Sequence, residues 1–252
     1  MRMHTLFACC LSLATALASL AAQAASSILI WPINPLIEAD RQKSAALWLE
    51  NRGQEPVDLQ VRVLAWEQEG FEDRLTPQKQ VVGSPPMATL QPGKRQLVRL
   101  VNLEPPSAGT LRTYRVLVDE VLPPQPRPSQ LGVQFQMRYS VPLFVVGPGA
   151  YLDDGAREAP GQGQPLAPDL RYRVVEGSDG VFLNLRNLGP APARLSQVDL
   201  LRDSGKQPLA EGLLGYVLPG AQMRWPLPAG VRSGRVQARI NESRQTQTLA
   251  AE

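Results

Sequence analysis

One stretch of the chain, residues 131–146, begins with a regular alternation of bulky apolar side chains and small or polar ones. The apolar positions of its first part are Leu131, Val133, Phe135, Met137, Tyr139 and Val141. A β-strand sends successive side chains to opposite faces, so the pattern predicts a strand with one apolar face. Pro142 has no backbone N–H to donate, which favours the edge of a sheet. Because soluble proteins avoid long apolar edge strands, we expect another polypeptide to pair with this one.

The first residues have the layout of a secretory signal peptide. Arg2 precedes an apolar run from Leu6 to Leu20, and Ala22-Gln23-Ala24 fits a small-x-small cleavage site. The run is short for a bilayer span, and no later segment approaches the length of a membrane helix. We therefore predict that residues 1–24 are removed and that the mature protein lies outside the cytoplasm without membrane insertion.

This prediction excludes several kinds of site from the mature chain. Cys9 and Cys10 are the two cysteines and His4 is the one histidine, and all three lie in the predicted signal peptide. Soft-metal sites, cysteine nucleophiles and histidine-dependent triads each need one of these groups. The 26 Lys and Arg nearly balance the 23 Asp and Glu. They form no basic cluster, so we expect no nucleic-acid partner.

Short strand-like segments separated by turn signals follow one another along both halves, which is typical of β-sandwiches. In the first half they are Ser27–Trp31, Leu36–Ala39, Ser44–Glu50, Val57–Trp66, Val81–Leu90, Arg95–Val101, Tyr114–Val121 and Leu131–Val146. In the second half they are Tyr172–Val175, Val181–Asn187, Arg194–Leu201, Leu213–Val217, Gln222–Trp225 and Arg235–Ile240. Gly147-Pro148-Gly149 has the composition of a hinge. We predict an all-β fold with domains at residues 25–147 and 148–252.

A turn pattern occurs once in each half with identical spacing. Leu49-x-Asn51-x-Gly53-x-x-Pro56 is matched by Leu185-x-Asn187-x-Gly189-x-x-Pro192, and a Pro-Gly follows later in each half. Asn and Gly supply turn geometry in general, so chance similarity is one explanation. Two sandwiches of one type are the other.

A set of motifs in the first half has a specific order and spacing. They are Ile30-Trp31-Pro32-Ile33, Ile37-Glu38-Ala39, Ser84-Pro85-Pro86, Pro92-Gly93, Val98-Arg99-Leu100, Tyr114-Arg115, Asp119-Glu120, Pro123-Pro124 and residues 136–144. Together they resemble the periplasmic chaperones of the chaperone–usher pilus pathway, above all the archaic branch. In the second half the resemblance depends on domain size and the weaker strand pattern.

The resemblance implies two immunoglobulin-like β-sandwich domains set at an angle, with a cleft between them. Such a chaperone acts in the periplasm, lends its seventh strand to a pilus subunit that lacks its own final strand, and delivers the subunit to an outer-membrane usher. It performs no catalysis and needs no cofactor. The side chains inserted into the subunit would here be those of Leu131, Val133, Phe135 and Met137. Whether the free protein masks this strand by self-association stays open.

The resemblance also implies an anchor for the C-terminal carboxylate of the subunit. The usual pair of basic residues falls near Asn34 and on Pro142, which are not basic. The archaic branch is similar at Tyr114-Arg115, so Arg115 is the expected anchor, because a guanidinium binds a carboxylate bidentately. Arg138 is the second candidate.

Arg99 and Glu120 match the buried interdomain ion pair of the family. Because burying two charges costs desolvation energy, such a pair is expected to fix the orientation of the domains more than to add stability.

Three alternatives to this interpretation remain. The alternating strand could pack against its own core, the protein could be a secreted immunoglobulin-like adhesion or ligand-binding module, or it could be a carboxylate-dependent hydrolase. The carboxylate pairs Glu67/Glu69, Glu72-Asp73 and Asp153-Asp154 are the candidates for a hydrolase or calcium site. They lie in turn-like segments, where acidic residues are usually solvated.

Overall fold

The structure, a computed structural model, describes residues 28–121, 136–155, 162–203 and 205–252. The predicted signal peptide and three of the predicted donor residues, Leu131, Val133 and Phe135, lie outside this part of the chain. The strands of the described residues are β1 (Ile28–Trp31), β2 (Leu36–Glu38), β3 (Ser44–Asn51), β4 (Val57–Glu69), β5 (Glu72–Pro77), β6 (Val81–Ser84), β7 (Met87–Leu90), β8 (Arg95–Asn102), β9 (Leu111–Val121), β10 (Arg138–Val146), β11 (Ala150–Leu152), β12 (Gln164–Leu166), β13 (Leu170–Gly177), β14 (Gly180–Asn187), β15 (Ala193–Arg202), β16 (Gly205–Val217), β17 (Gln222–Pro226), β18 (Arg235–Ile240), β19 (Thr246–Thr248) and β20 (Ala250–Ala251).

Strands β1 to β10 form a first sandwich of two sheets. One sheet has the order β1-β3-β8-β6, and the other has the order β2-β10-β9-β4-β5, with β7 paired to β4. Alternate apolar side chains point between the sheets, as in β4, where Val57, Leu59 and Val61 are buried and the residues between them are exposed. The core that they form includes Ile37, Leu47, Leu49, Val98, Leu100, Tyr114, Val116, Leu143 and Val145.

The chain passes from one sheet of this sandwich to the other between Pro32 and Pro35. β1 pairs antiparallel with β3 in the first sheet, whereas β2 pairs parallel with β10 in the second. The two prolines lie in the gap between the predicted segments Ser27–Trp31 and Leu36–Ala39. A kink at these prolines redirects the chain because a proline cannot donate to a continuing ladder.

Strand β5 was not predicted from the sequence. All six of its residues are exposed, so it lacks the alternation that reveals a half-buried strand. It forms a hairpin with β4 through Gly70 and Phe71, whose φ angles are 63° and 68°. Positive φ at both central residues is typical of a tight turn that follows the twist of the strands.

Strands β13 to β20 form a second sandwich with the sheet orders β17-β14-β13-β20 and β16-β15-β18-β19. Its separate core includes Leu183, Leu185, Leu195, Val198, Leu200, Val217, Val236 and Ala238. The parallel pair of β11 and β12 lies between the sandwiches in sequence. The all-β prediction with two sandwiches is confirmed. Within the described ranges, no helix is long and apolar enough to cross a membrane.

The repeated turn pattern is a repeated hydrogen-bond network. The buried amide of Asn51 donates to the carbonyl oxygens of Glu55 (2.8 Å) and Leu90 (2.9 Å), and its Oδ1 accepts from Gly53 N (2.8 Å). One side chain therefore ties a tight turn to the end of a distant strand.

Asn187 makes the matching contacts in the second sandwich. Its amide donates to the carbonyl oxygens of Ala191 (2.7 Å) and Val217 (3.0 Å), and its Oδ1 accepts from Gly189 N (3.0 Å). The two Pro-Gly glycines complete the match by donating to the carbonyl oxygens of the two asparagines, Gly93 to Asn51 at 2.8 Å and Gly220 to Asn187 at 2.9 Å. The two sandwiches thus share one hydrogen-bonded corner, which is built around Asn51 in the first sandwich and around Asn187 in the second.

Candidate functional site

Strand β10 has one paired edge and one edge that is largely open. It pairs with β9 from Arg138 to Val146, but with β2 only at its last three residues. Phe144 N donates to Pro35 O on the β2 side (3.2 Å), and Glu120 N of β9 donates to Met137 O (3.0 Å). Because backbone groups alternate in direction along a strand, even-numbered residues of β10 face the β2 side.

The open part of this edge runs from Arg138 to Pro142. No other strand of the described residues pairs with it on the β2 side. The backbone N–H and C=O of Arg138 and Ser140 face outward there, and so does the C=O of Pro142. The absent N–H of Pro142 falls on the open edge, so the expectation that this proline suits an edge is confirmed.

The apolar face of β10 becomes more exposed toward its N-terminal end. Val145 and Leu143 are fully buried, Val141 is 7% exposed, and Met137, just before the strand begins, is 42% exposed. All of these are odd-numbered residues of one face. At Val141, Leu143 and Val145, this face thus fills the core of the first sandwich. At Met137, the last of the four predicted donor residues, the same face lies outside that core.

The outer face of the sheet that contains β10 turns toward the second sandwich. Trp66 of β4 and Phe144 of β10 contact Tyr216 of β16, with ring centroids 5.4 and 6.5 Å from the tyrosine ring. A third apolar cluster joins the sandwiches here and includes Leu36, Val146, Leu152, Leu166, Ala191, Leu218 and Ala221.

Arg115 lies within this aromatic cluster. Its guanidinium carbon is 3.6 Å from the ring centroid of Trp66 and 5.2 Å from that of Tyr216, and its side chain is only 13% exposed. Arg115 is directly opposite Pro142 in the ladder, so the two side chains share a face. The predicted anchor therefore lies beside one of the positions at which the family usually has a basic residue.

The charge of Arg115 is poorly compensated. Burial lowers the pKa of its guanidinium, while the neighbouring Asp73 acts in the opposite direction. The Asp73 carboxylate is 3.8 Å from the guanidinium nitrogen, longer than a hydrogen bond. An arginine stays protonated despite such a shift. The site can therefore accept an anion at low desolvation cost to the cation, which is already partly dehydrated.

Arg138, the second anchor candidate, is already engaged. It forms an ion pair with Asp119, and Arg62 contacts the same carboxylate at 2.7 Å. Burial alone would raise the pKa of Asp119, but hydrogen bonds from Arg138 and Arg62 outweigh it and lower the pKa. The Arg138 side chain is also 62% exposed. These contacts favour Arg115 over Arg138 as the anchor.

The chain is similar to known assembly chaperones. A family described as "Pili and flagellar-assembly chaperone, PapD N-terminal domain" matches residues 35–149. The chaperone CsuC of Acinetobacter baumannii, from archaic chaperone–usher Csu pili, was solved in a pre-assembly complex with the tip subunit CsuE. It is 30% identical, with 90% of this chain and 99% of that chain covered and a TM-score of 0.69. This chain belongs to the chaperone–usher pilus chaperones.

More distant members of the family share the fold. The SafB chaperone of Salmonella enterica, solved with the SafA pilin, is 17% identical over 91% of this chain and 98% of that chain, with a TM-score of 0.60. The Escherichia coli chaperone DraB is 18% identical over 90% and 96%, with a TM-score of 0.58. A comparison with curated protein sequences gave no match. The resemblance to the archaic branch and the predicted fold of two immunoglobulin-like domains are confirmed.

The structure does not bring together Arg99 and Glu120, which the family resemblance proposed as an interdomain ion pair. Arg99 is exposed on the outer face of β8, because its neighbours Val98 and Leu100 fill the core. Glu120 is buried at the end of β9 in the other sheet, on the same side as the core residue Val118. Motif matching fixed their positions along the chain but not the faces to which they belong.

The residues that contact the second sandwich were missed at the sequence level. Trp66, Phe144 and Tyr216 were assigned to strands without a contact between domains, and Gln68 was given no role. Alternation from Val57 onward places Trp66 and Gln68 on the face opposite the core, which was the available signal. The carboxylates of Glu67, Glu69, Glu72 and Asp73 lie in the β4–β5 hairpin strands rather than in turns. No cluster of three metal-binding side chains occurs in the described part of the chain.

Proposed function

We propose that this protein binds pilus subunits by lending them the N-terminal part of strand β10 and its preceding residues, and that it delivers them to an outer-membrane usher. The open edge of β10 is the observation that supports this function best. Main-chain hydrogen bonds along such an edge give affinity, and alternate side chains entering a groove give specificity. The members of this family that were solved with subunits have the same overall fold.

The lent face consists of Leu131, Val133, Phe135 and Met137. Met137 is half exposed and continues the face that Tyr139 and Val141 begin. Burial of four large apolar side chains supplies about 6–12 kcal/mol before the cost of association is subtracted. No nucleotide or other cofactor is needed, because the free energy comes from the folding of the subunit, and no catalytic step is involved.

The anchor for the subunit's terminal carboxylate is Arg115. Its buried cation, stacked on Trp66, lies on the same sheet face as Pro142 of the lent strand. A subunit that pairs with β10 from its N-terminal end would therefore direct its chain end toward this guanidinium. The arrangement couples strand pairing to recognition of a chain terminus.

The mature protein starts after residue 24 and acts in the periplasm. Its domains are residues 25–147 and 148–252, with the boundary at Gly147-Pro148. The separate cores of the two sandwiches support this division, since one core extends from Ile28 to Val145 and the other from Leu170 to Leu249.

Co-expression with a pilus subunit from the same organism tests the proposal. The wild-type protein should co-purify with the subunit in a one-to-one complex. The double variant Phe135→Ser/Met137→Ser should stay folded and lose capture by more than about 100-fold, because it removes two inserted apolar side chains.

The matched control is Met87→Ser/Leu213→Ser, which removes two half-exposed apolar side chains elsewhere. We expect it to capture the subunit normally. Global unfolding of the Phe135/Met137 variant would instead show that this face packs inward, as in an adhesion or ligand-binding module. Unchanged capture would also refute the proposal.

A further inference from the structure

Gln68 connects the two sandwiches by two hydrogen bonds and uses its remaining N–H within the first sandwich. It lies near the end of β4, opposite Asp73 in the hairpin. Its Nε2 donates to Tyr216 O (3.0 Å), and its Oε1 accepts from Leu218 N (2.8 Å). The same Nε2 donates to Asp73 Oδ1 (2.9 Å). An amide has two N–H donors and one carbonyl acceptor, and each of them is used.

The two contacts with the second sandwich have the pattern of a strand pair. A neighbouring strand would accept from and donate to the backbone at two positions, the C=O of one residue and the N–H of the residue two positions later. The side chain of Gln68 bonds the C=O of Tyr216 and the N–H of Leu218 in the same way. The side chain of Leu218 is buried, and a buried backbone N–H needs a partner. Gln68 therefore fixes the distance between the ends of β4 and β16.

Gln68 also links this junction to Arg115. Asp73 accepts from Gln68 through one carboxylate oxygen, and its other oxygen is the one 3.8 Å from Arg115. Arg115 in turn lies between Trp66 of the first sandwich and Tyr216 of the second. The position of the guanidinium thus depends on where Tyr216 lies relative to Trp66. Gln68 helps to set that position because it bonds the backbone of Tyr216.

We propose that Gln68 is a positioning residue that fixes the junction between the domains and thereby holds Arg115 ready for the carboxylate of a subunit. This inference depends on the proposed function for its second part only. No single replacement reproduces the role of the amide, since methionine lacks both polar groups. Glutamate would lack the donor and place a second charge beside Asp73.

The first test measures the distance between the domains. The mature chain lacks cysteine, so Gln91→Cys and Arg244→Cys introduce one spin label on each sandwich, at exposed positions. Double electron–electron resonance should give a narrow distance distribution for the otherwise wild-type chain and a broader one for Gln68→Met. Gln60→Met is the matched control, because Gln60 lies on the same strand and face but is exposed, and its distribution should not change.

The second test measures capture of the same pilus subunit, once with its native C-terminus and once with two residues added there. Gln68→Met should weaken capture of the native subunit about tenfold, because Arg115 is no longer held in position for the subunit's carboxylate. For the same reason, the two added residues should weaken capture by Gln68→Met less than they weaken capture by the wild-type chain.

Three outcomes decide between the claims. An unchanged distance distribution in Gln68→Met overturns the inference, and so does a broader distribution with an unchanged penalty for the added residues. If the wild-type chain captures no subunit, the proposed function fails, while the distance measurement still decides whether Gln68 fixes the domains. Melting curves for Gln68→Met and Gln60→Met show that both are folded when they are compared.

Discussion

In the proposed function, recognition of a subunit's chain end depends on the single residue Arg115. Its guanidinium is buried beside Trp66 and Tyr216, and the nearest described carboxylate, Asp73, is beyond hydrogen-bond distance. A buried cation with weak compensation gains from an incoming carboxylate. Arg138 lacks this property, because Asp119 already neutralises it.

We therefore expect Arg115→Gln to weaken subunit capture by about 10–100-fold, the value of hydrogen bonds to a charged group. Two residues added to the subunit's C-terminus should weaken capture by the wild-type chain, but should have little further effect on the variant. Binding measurements with purified components form the double-mutant cycle. Arg138→Gln is the control. The assignment of Arg115 as the anchor is refuted if Arg138→Gln abolishes the effect of the two added residues on capture and Arg115→Gln does not.

The two corner asparagines, Asn51 and Asn187, give a prediction about stability at the same scale. Asn51→Ala leaves two carbonyl oxygens and one N–H without their partner in a buried turn. In the second sandwich, Asn187→Ala leaves two carbonyl oxygens and the N–H groups of Gly189 and Asp169 without theirs. We expect each change to lower the free energy of unfolding by about 2–4 kcal/mol. Urea unfolding measures it. Asn34→Ala is the control, since its amide bonds the exposed Glu242, and losses no larger than in this control would contradict the account.

At the scale of strands, the direction of each backbone group along β10 separates two functions. Odd-numbered residues bond β9 and hold the sandwich together, whereas Arg138 and Ser140 present their N–H and C=O groups to the open edge. One strand can thus complete its own sheet and still offer a free edge at its N-terminal end.

Proline substitutions at adjacent positions test this division. Ser140→Pro removes an N–H that faces the open edge, so we expect the protein to fold and to capture subunits at least tenfold less. Val141→Pro removes a bond to β9 in the core and should destabilise the fold by about 3 kcal/mol or more. Melting curves and capture assays measure both. Equal destabilisation by the two changes would contradict the assignment of the edges.

The sequence predicted strands well wherever one face is buried. β3 and β8 end within one residue of their predicted bounds, because their alternation is clear. β5 was missed because solvent surrounds all of its side chains. The contact of Gln68 with β16 could not be predicted, since alternation gives the face of a residue but not what another domain places against that face.

At the scale of the whole molecule, two sandwiches with separate cores meet through a third apolar cluster. One sheet of the first sandwich has both the strand with the open edge and the outer face that contacts the second sandwich. The edge for strand pairing and Arg115 are therefore parts of a single surface. A subunit bound there would contact both, so we expect the orientation of the domains to affect capture.

Residue-resolved amide hydrogen exchange, with and without a bound subunit, tests strand lending most directly. In the free protein, the amides of Arg138 and Ser140 should exchange fast, while those of Tyr139, Val141 and Leu143 are protected by β9. On capture of the subunit, Arg138 and Ser140 should become as protected as their neighbours. If these two amides are already protected in the free protein, or stay unprotected in the complex, this strand is not the one that is lent.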